Sequence, residues 1–149
     1  MATTLLPPDF KDFLKLLNSK NVSYLLIGGY AVAYHGYSRA TADMDVWIAM
    51  DTENANKVAD ALREFGFAAD AIGPDLFLQE GKIVRIGVPP LRIEILTTIS
   101  GVSFAECYPD RVLAYIDGME VPVISLPHLK ANKKASARFK DLADLEHLE

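Results

Sequence analysis

The sequence is poor in cysteine and histidine and has no long hydrophobic run. Cys107 is the only cysteine among 149 residues, so no intrachain disulfide can form, and this favours a reducing compartment. His128 and His147 lack the partner spacing of a zinc site. The longest apolar stretch is broken by Gly28-Gly29 and is too short to span a bilayer. The first residues resemble no signal peptide, so we expect a cytoplasmic protein without membrane contact.

The chain also lacks an excess of positive charge. Its 15 Lys+Arg against 20 Asp+Glu give a net charge of -5, which disfavours nucleic-acid binding driven by bulk charge. Hydrophobic residues make up 50% of the sequence, a globular composition. A chain of 149 residues is long enough to bury a core, and we expect one domain over residues 1–149.

The hydrophobic periodicity predicts an α+β (mixed α/β) fold. A mixed central sheet with helices packed on it follows from the irregular alternation of predicted strands and helices. Strands are predicted at residues 22–27, 44–50, 82–88, 91–98, 112–116 and 120–124, the last two joined as a hairpin. Helices are predicted at 9–17, 30–35, 52–65 and from 126 to 148, the last with a break near Asn132.

Two aspartates stand at the head of the second predicted strand. Because side chains alternate along a strand, Asp43 and Asp45 point the same way, while Met44, Val46 and Ile48 face the core. A divalent cation such as Mg²⁺ or Mn²⁺ relieves the repulsion between two such carboxylates. The alternative is that one aspartate caps a turn and the other is solvated.

Gly28-Gly29 follows the first predicted strand and precedes a helix start. This arrangement leaves backbone N–H groups accessible, as in a phosphate-binding turn, and Arg39 can add a charge-assisted contact. The alternative is a tight turn that needs glycine for steric reasons.

A third carboxylate, Glu94, lies in the strand LRIEIL, residues 91–96. Its neighbours Ile93 and Ile95 face the core, so Glu94 occupies the other face together with Arg92. It completes a three-carboxylate metal site, or it forms a cross-strand salt bridge with Arg92 or Arg85.

Together these motifs resemble the nucleotidyltransferase superfamily with the polymerase-β-like fold. The resemblance rests on Gly28-Gly29-Tyr30-Ala31, on Arg39-x-Thr41-x-Asp43-x-Asp45 and on a later strand acid. Within that superfamily the chain is similar to the small single-domain AbiEii-toxin-like group. Members of that group carry a helix with the pattern N-K-x-A-x-x-R-x-K-D-x-x-D. The end of this chain matches the pattern with Asn132, Lys133, Arg138, Lys140, Asp141 and Asp144.

The resemblance implies transfer of a nucleoside monophosphate from a nucleoside triphosphate to an acceptor hydroxyl of an RNA, a protein or a small molecule, in a toxin–antitoxin role in some members. It implies Mg²⁺ or Mn²⁺ held by Asp43, Asp45 and Glu94, the catalytic carboxylates. It implies nucleotide contacts at Gly28, Gly29, Arg39, Thr41, Lys133 and Arg138. The small size leaves no room for a separate acceptor domain, so a partner protein or a homodimer is expected to supply that surface.

Several features leave alternatives open. The third acid of the family is usually aspartate, and Glu94 is one methylene longer, as expected for a degenerate module that binds a nucleotide or a partner without chemistry. Lys133 and Arg138 can form a solvated face, with Arg138 paired to Asp141 along a helix. Trp47 can stack on a base or pack under a helix.

Overall fold

The computed structural model of the chain describes residues 6–37, 41–67, 72–88 and 91–148. These described ranges contain six strands, named β1 (Tyr24–Ile27), β2 (Met44–Ile48), β3 (Ile83–Val88), β4 (Leu91–Leu96), β5 (Val112–Ile116) and β6 (Met119–Val123). The α-helices are α1 (Pro8–Ser19), α2 (Gly28–Tyr34), α3 (Thr52–Phe65), α4 (Phe104–Cys107), α5 (Leu126–Ser136) and α6 (Phe139–His147), and 3-10 turns occur at Pro74–Leu78 and Tyr108–Asp110.

The six strands form one mixed sheet in the order β3-β4-β2-β1-β6-β5. β1 and β2 are antiparallel, whereas β2 and β4 run parallel, as do β1 and β6. The hairpins β3–β4 and β5–β6 extend the sheet at its two sides. The predicted mixed sheet with packed helices is therefore confirmed, and β2, which carries the acidic motif, lies near its centre.

A hydrophobic core fixes the strand faces. Met44, Val46 and Ile48 of β2 are fully buried, as their alternation with the aspartates predicts. Helix α1 packs on α3, where Phe13 meets Phe65 edge to face at 5.4 Å between ring centroids. Each fully buried side chain of this size contributes roughly 1.5–3 kcal/mol relative to an exposed one, so burial of these side chains determines which way the strand faces and leaves Asp45 on the other side.

The ends of two helices differ from the prediction. α2 begins at Gly28 rather than at residue 30. The predicted break near Asn132 is wrong, because α5 continues to Ser136 and the chain turns at Ala137, which has φ 51. Arg138 then precedes α6, where its backbone N–H donates to the Asp141 carboxylate at 3.1 Å. A hydrogen bond from the Asn132 amide to the Ser100 carbonyl, 3.0 Å, holds the middle of α5 in place.

No helix in the described part of the chain combines the length and the apolar character needed to cross a bilayer.

Candidate functional site

A polar cleft of about 780 Å³ lies over the face of the sheet opposite the core, between the start of α2 and the corner of α5 and α6. A cleft of this volume is in the range of small-molecule sites. Eight of the nine predicted site residues line it: Gly28, Gly29, Thr41, Asp43, Asp45, Glu94, Lys133 and Arg138. The ninth, Arg39, lies outside the described residues.

The two glycines make the closest approach between α2 and the acidic strand. Gly28 has φ +65, and a Cβ built on it would stand 2.1 Å from Asp45 Oδ2. A Cβ on Gly29 would stand 2.5 Å from Thr41 Oγ1. Any larger residue would therefore collide with the acidic strand or the residues leading into it, so both glycines are needed for close packing as well as for an accessible backbone.

Asp45 and Glu94 stand side by side on adjacent parallel strands. They are register partners of β2 and β4, so their carboxyl groups are adjacent. Burial, the charge of Glu94 and the charge of Asp43 raise the pKa of Asp45 to about 7, while Lys140 opposes them. Asp45 Oδ1 is buried and has no hydrogen-bond partner among the described residues, which is costly unless a ligand or ion completes it. The cleft therefore centres on a carboxyl group whose negative charge is disfavoured by burial and by its acidic neighbours.

Two arginines partner the other carboxylates. Arg85 Nε lies 3.2 Å from Glu94 Oε1, and the two residues are cross-strand neighbours on β3 and β4. Arg92 lies 3.5 Å from Asp43. The salt-bridge alternative for Glu94 is thus present in the structure with Arg85, on the cleft surface and within reach of solvent, where such a pair is worth little and can exchange for another ligand.

Lys133 is buried, with 3% of its surface exposed, and is not part of a solvated face. Its ammonium group lies 3.1 Å from Asp141 and 3.2 Å from Asp144, both of which are also buried. Burial favours the neutral form of Asp141, but hydrogen bonds from Arg138, Ser136 and Lys133 outweigh it and hold the pKa of Asp141 well below its usual range. Lys133 therefore anchors α6 to α5, and its direct contact with a nucleotide stays a prediction.

Arg138 is exposed and faces the acidic centre. Its Nε donates to Asp141 at 2.8 Å, and this hydrogen bond, with the nearby charges of Asp141, Asp45 and Glu94, raises its pKa. Arg138 and Asp141 pair three residues apart, as the alternative interpretation anticipated. The guanidinium group of Arg138 is thus held at the cleft by Asp141, which belongs to the buried ionic cluster of Lys133, Asp141 and Asp144.

Lys140 is a cleft residue that the predicted site set left out. It lines the cleft, and its charge lowers the pKa of Asp45. It belongs to the R-x-K-D spacing already recognised in the sequence, and its position two residues after Arg138 was the available signal.

Trp47 and Cys107 belong to the core. The indole is 1% exposed, donates to the Thr97 carbonyl at 3.2 Å and packs edge to face on Phe104 of α4. Packing under a helix is thus the correct interpretation for Trp47. Cys107 is fully buried, as expected for a small apolar residue.

The donor chemistry of the cleft fits a divalent cation. Among the described ranges, no three Asp, Glu, His or Cys side chains converge on one ion position. Even so, Asp43, Asp45 and Glu94 supply the oxygen donors that Mg²⁺ prefers, and Asp45 Oδ1 is an oxygen in need of a partner.

Comparison with known proteins places the chain in a family. A family model described as aminoglycoside-2''-adenylyltransferase matches residues 9–148. The chain belongs to this family. The resemblance to the nucleotidyltransferase superfamily is confirmed, while the narrower likeness to the AbiEii-toxin-like group stays a prediction. Among curated protein sequences, none matches significantly.

Solved structures of the adenylyltransferase family and its neighbours share the fold. The lincomycin-bound lincosamide antibiotic adenylyltransferase LnuA is 16% identical, with 98% of each chain covered and a TM-score of 0.57. ANT(2")-Ia in complex with adenylyl-2"-tobramycin is 13% identical, with 93% of this chain and 84% of that chain covered and a TM-score of 0.57. An antigenic nucleotidyltransferase-like protein from Paracoccidioides brasiliensis is 16% identical, covering 94% and 74%, with a TM-score of 0.57.

Proposed function

We propose that the protein transfers a nucleoside monophosphate from a nucleoside triphosphate to a hydroxyl group of a small molecule. The observation that carries the proposal is the meeting of the Gly28-Gly29 turn with Asp45 and Glu94 in one cleft, opposite Arg138 and Lys140. Family membership supports it. The ligands named for LnuA and ANT(2")-Ia, lincomycin and adenylyl-tobramycin, support a small-molecule acceptor.

The carboxylates of Asp43, Asp45 and Glu94 would hold Mg²⁺ or Mn²⁺ in this proposal. When bound, the ion would offset phosphate charge and favour ionisation of the acceptor hydroxyl. Asp45 fits this role best, because its Oδ1 is buried with no partner among the described residues and its raised pKa reflects burial beside two other acids.

The remaining cleft residues would bind and orient the triphosphate. Gly28 and Gly29 allow the backbone to approach phosphate oxygens, with Thr41 beside them. Arg138 and Lys140 supply positive charge across the cleft. In the transfer, the acceptor oxygen forms a bond to the α-phosphorus while the bond to the β-phosphate oxygen breaks. Pyrophosphate leaves with that electron pair, and the hydroxyl proton passes to the Glu94 carboxylate.

Calorimetric titration with each of four non-hydrolysable nucleoside triphosphates, with and without Mg²⁺, tests this function without knowledge of the acceptor. We expect Mg²⁺-dependent binding of at least one nucleotide to the wild type and loss of the Mg²⁺-dependent part in Asp45→Asn. Asp60→Asn, which removes an exposed carboxylate from α3, is the matched control. A nucleotide affinity that changes neither on addition of Mg²⁺ nor in the Asp45→Asn variant would contradict the proposal.

A degenerate binding module is the second candidate. It is favoured by the Arg85–Glu94 salt bridge and by the absence of a three-carboxylate cluster in the described part of the chain. Glu94→Asp distinguishes the two, because a gain of transfer in this variant from an inactive wild type would show a degenerate site. An RNA or protein acceptor, a protein partner or homodimer, and a toxin–antitoxin role rest on the sequence resemblance alone.

A further inference from the structure

The two edge strands of the sheet differ in how well they are protected against pairing with another chain. Among the described strands, β3 and β5 each pair with one neighbour and so have one free edge. β3 carries the exposed Arg85, and Gly87, with φ +90, interrupts its regular geometry. The β5 residues Val112–Ile116 (VLAYI) include no charged residue, no proline and no residue of positive φ. An unprotected apolar edge of this kind is a template for a further strand.

The turn of the β5–β6 hairpin fixes which backbone groups of β5 point to the free edge. Asp117 and Gly118 have φ 50 and 78, as in a type I′ turn, so the residues that flank the turn form a hydrogen-bonded pair. Hydrogen-bonded and non-hydrogen-bonded pairs then alternate, and Leu113 and Tyr115 fall in non-hydrogen-bonded pairs. Their N–H and C=O groups therefore point away from β6, and no described residue hydrogen-bonds to them.

The side chains of Leu113 and Tyr115 make the same edge apolar. They alternate with the buried Ala114 and are 53% and 77% exposed. An aromatic side chain beside an aliphatic one on a neighbouring strand is a favourable cross-strand pair. The free backbone groups and the exposed apolar side chains thus belong to the same two residues.

One antiparallel arrangement of two β5 strands uses these groups and no others. With a two-fold axis at Ala114, Leu113 of one copy stands opposite Tyr115 of the other, and each of the two such pairs forms two hydrogen bonds. A shift toward the start of the strand would require Arg111, whose N–H already donates to a carbonyl group of the preceding 3-10 turn at 3.2 Å. A shift the other way would require Asp117, where φ 50 ends the strand.

The ends of β5 carry opposite charges that match this register. Arg111 precedes the strand and Asp117 follows it, so the two-fold arrangement places each opposite the other in the second copy. Both side chains are held at the strand ends, because Arg111 Cζ lies 4.1 Å from the centroid of the Tyr108 ring and Asp117 pairs with Lys11. Exposed charges of this kind select register and partner more than they add affinity. The edge is therefore complementary to itself, which favours a second copy of this chain as the occupant.

We propose that the protein forms a two-fold symmetric dimer in which the β5 strands of two copies pair antiparallel and join the two sheets into one. The homodimer implied by the sequence resemblance thereby gains a defined interface. β1 and β6 separate β5 from β2, so the interface lies away from the acidic motif. The inference does not depend on the proposed function.

Sedimentation velocity of the full chain, at concentrations from about 1 µM to about 500 µM, tests the dimer. A short interface predicts a reversible equilibrium, with monomer dominant at the lowest concentration and dimer at the highest. Leu113→Lys places a charge on the free edge and should raise the dissociation constant at least about tenfold. Leu142→Lys is the matched control, because Leu142 lies on α6 and is 46% exposed, and it should leave the dissociation constant unchanged.

Two further variants test the backbone pairing and the register. Tyr115→Pro removes an outward N–H without removing a hydrogen bond to β6, and should weaken the dimer at least about tenfold. Combining Leu113→Lys with Tyr115→Glu sets opposite charges across the two-fold axis, and should give a dimer at least about threefold tighter than Leu113→Lys alone. Circular dichroism shows which variants are folded. If Tyr115→Pro is not, Leu113→Lys and the double variant decide.

A wild type that stays monomeric at the highest concentration would overturn the inference. The same holds for a dimer whose dissociation constant is unchanged in Leu113→Lys, because such a dimer uses another surface. An assembly that grows beyond two copies would also contradict it, since two-fold pairing through one edge strand closes on itself.

Discussion

The carboxyl groups of Asp45 and Glu94 lie side by side on the parallel strands β2 and β4, and the negative charge of Glu94 disfavours ionisation of Asp45. Because the pKa of Asp45 is raised to about 7, the folded protein holds this proton more tightly than the unfolded chain does. The free energy of unfolding attributable to Asp45 is therefore greatest at low pH and falls as the pH rises from about 4 to about 7.

Asp45→Asn should consequently stabilise the metal-free protein at pH 7.5 by about 2 kcal/mol and change stability little at pH 4. Urea unfolding in the presence of a chelator measures the effect, with fluorescence of Trp47, the single buried tryptophan, as the signal. Asp60→Asn is the control at an exposed site. If Asp45→Asn were less stable than the wild type at pH 7.5, the ionised form of Asp45 would not be disfavoured in the folded state.

Gly28→Ala should abolish nucleotide binding and destabilise the protein by about 2 kcal/mol or more. The added Cβ would lie 2.1 Å from Asp45 Oδ2, and alanine disfavours the φ of +65. Gly73→Ala is a suitable control, because its φ is -107 and no described atom lies within 4 Å of the position that its Cβ would take. Equal stability and equal nucleotide affinity of the two variants would remove the close-packing argument for the turn.

Lys133→Met should cost about 3–5 kcal/mol of stability, because it leaves the buried carboxylates of Asp141 and Asp144 without their shared ammonium group. Lys134→Met, at an exposed neighbouring position, should change stability by no more than about 0.5 kcal/mol. Urea unfolding at neutral pH measures the free energy of unfolding of both variants. If both variants were as stable as the wild type, the ionic cluster would not anchor α6.

Arg138→Gln should weaken triphosphate binding by about tenfold while changing stability by less than about 1 kcal/mol, since one charge-assisted contact is lost from an exposed residue. Arg63→Gln is matched in geometry, because Arg63 also pairs with an aspartate three residues away. Calorimetry with nucleoside triphosphate and nucleoside monophosphate should show the loss only for the triphosphate. An equal loss for both would place Arg138 away from the β- and γ-phosphates.

Alternation along β2 predicted the faces of Met44, Val46, Asp43 and Asp45, but not the burial of Trp47, which shares the face of the aspartates and packs against Phe104 of α4. Met44 and Val46 are buried, and Asp43 and Asp45 line the cleft, because a strand side chain has only two directions available. The family resemblance predicted that an acid from a later strand, Glu94, joins this motif. The register of β2 with β4 brings Glu94 beside Asp45.

The burial of Lys133 could not be predicted in the same way. A lysine on a predicted helix is usually solvated, and its burial depends on two aspartates of the next helix, α6. That contact exists only because the chain turns at Ala137, which adopts a left-handed conformation. Alanine rarely adopts this conformation, so the sequence does not indicate a turn at this position. The position of the turn, and with it the anchor for Arg138, depends on tertiary packing that local sequence patterns do not record.

The order of strands in the sheet has a consequence for when the cleft forms during folding. Asp45 and Glu94 become neighbours only after β2 and β4 pair in parallel, and α3 and the β3 strand lie between them in the chain. Bringing β2 and β4 together closes a long loop of chain. Loop closure of this kind costs conformational entropy and is slow compared with the formation of local helices and hairpins. Nucleotide-binding competence should therefore not appear before β2 and β4 have paired, and an N-terminal fragment ending before β4 should have none.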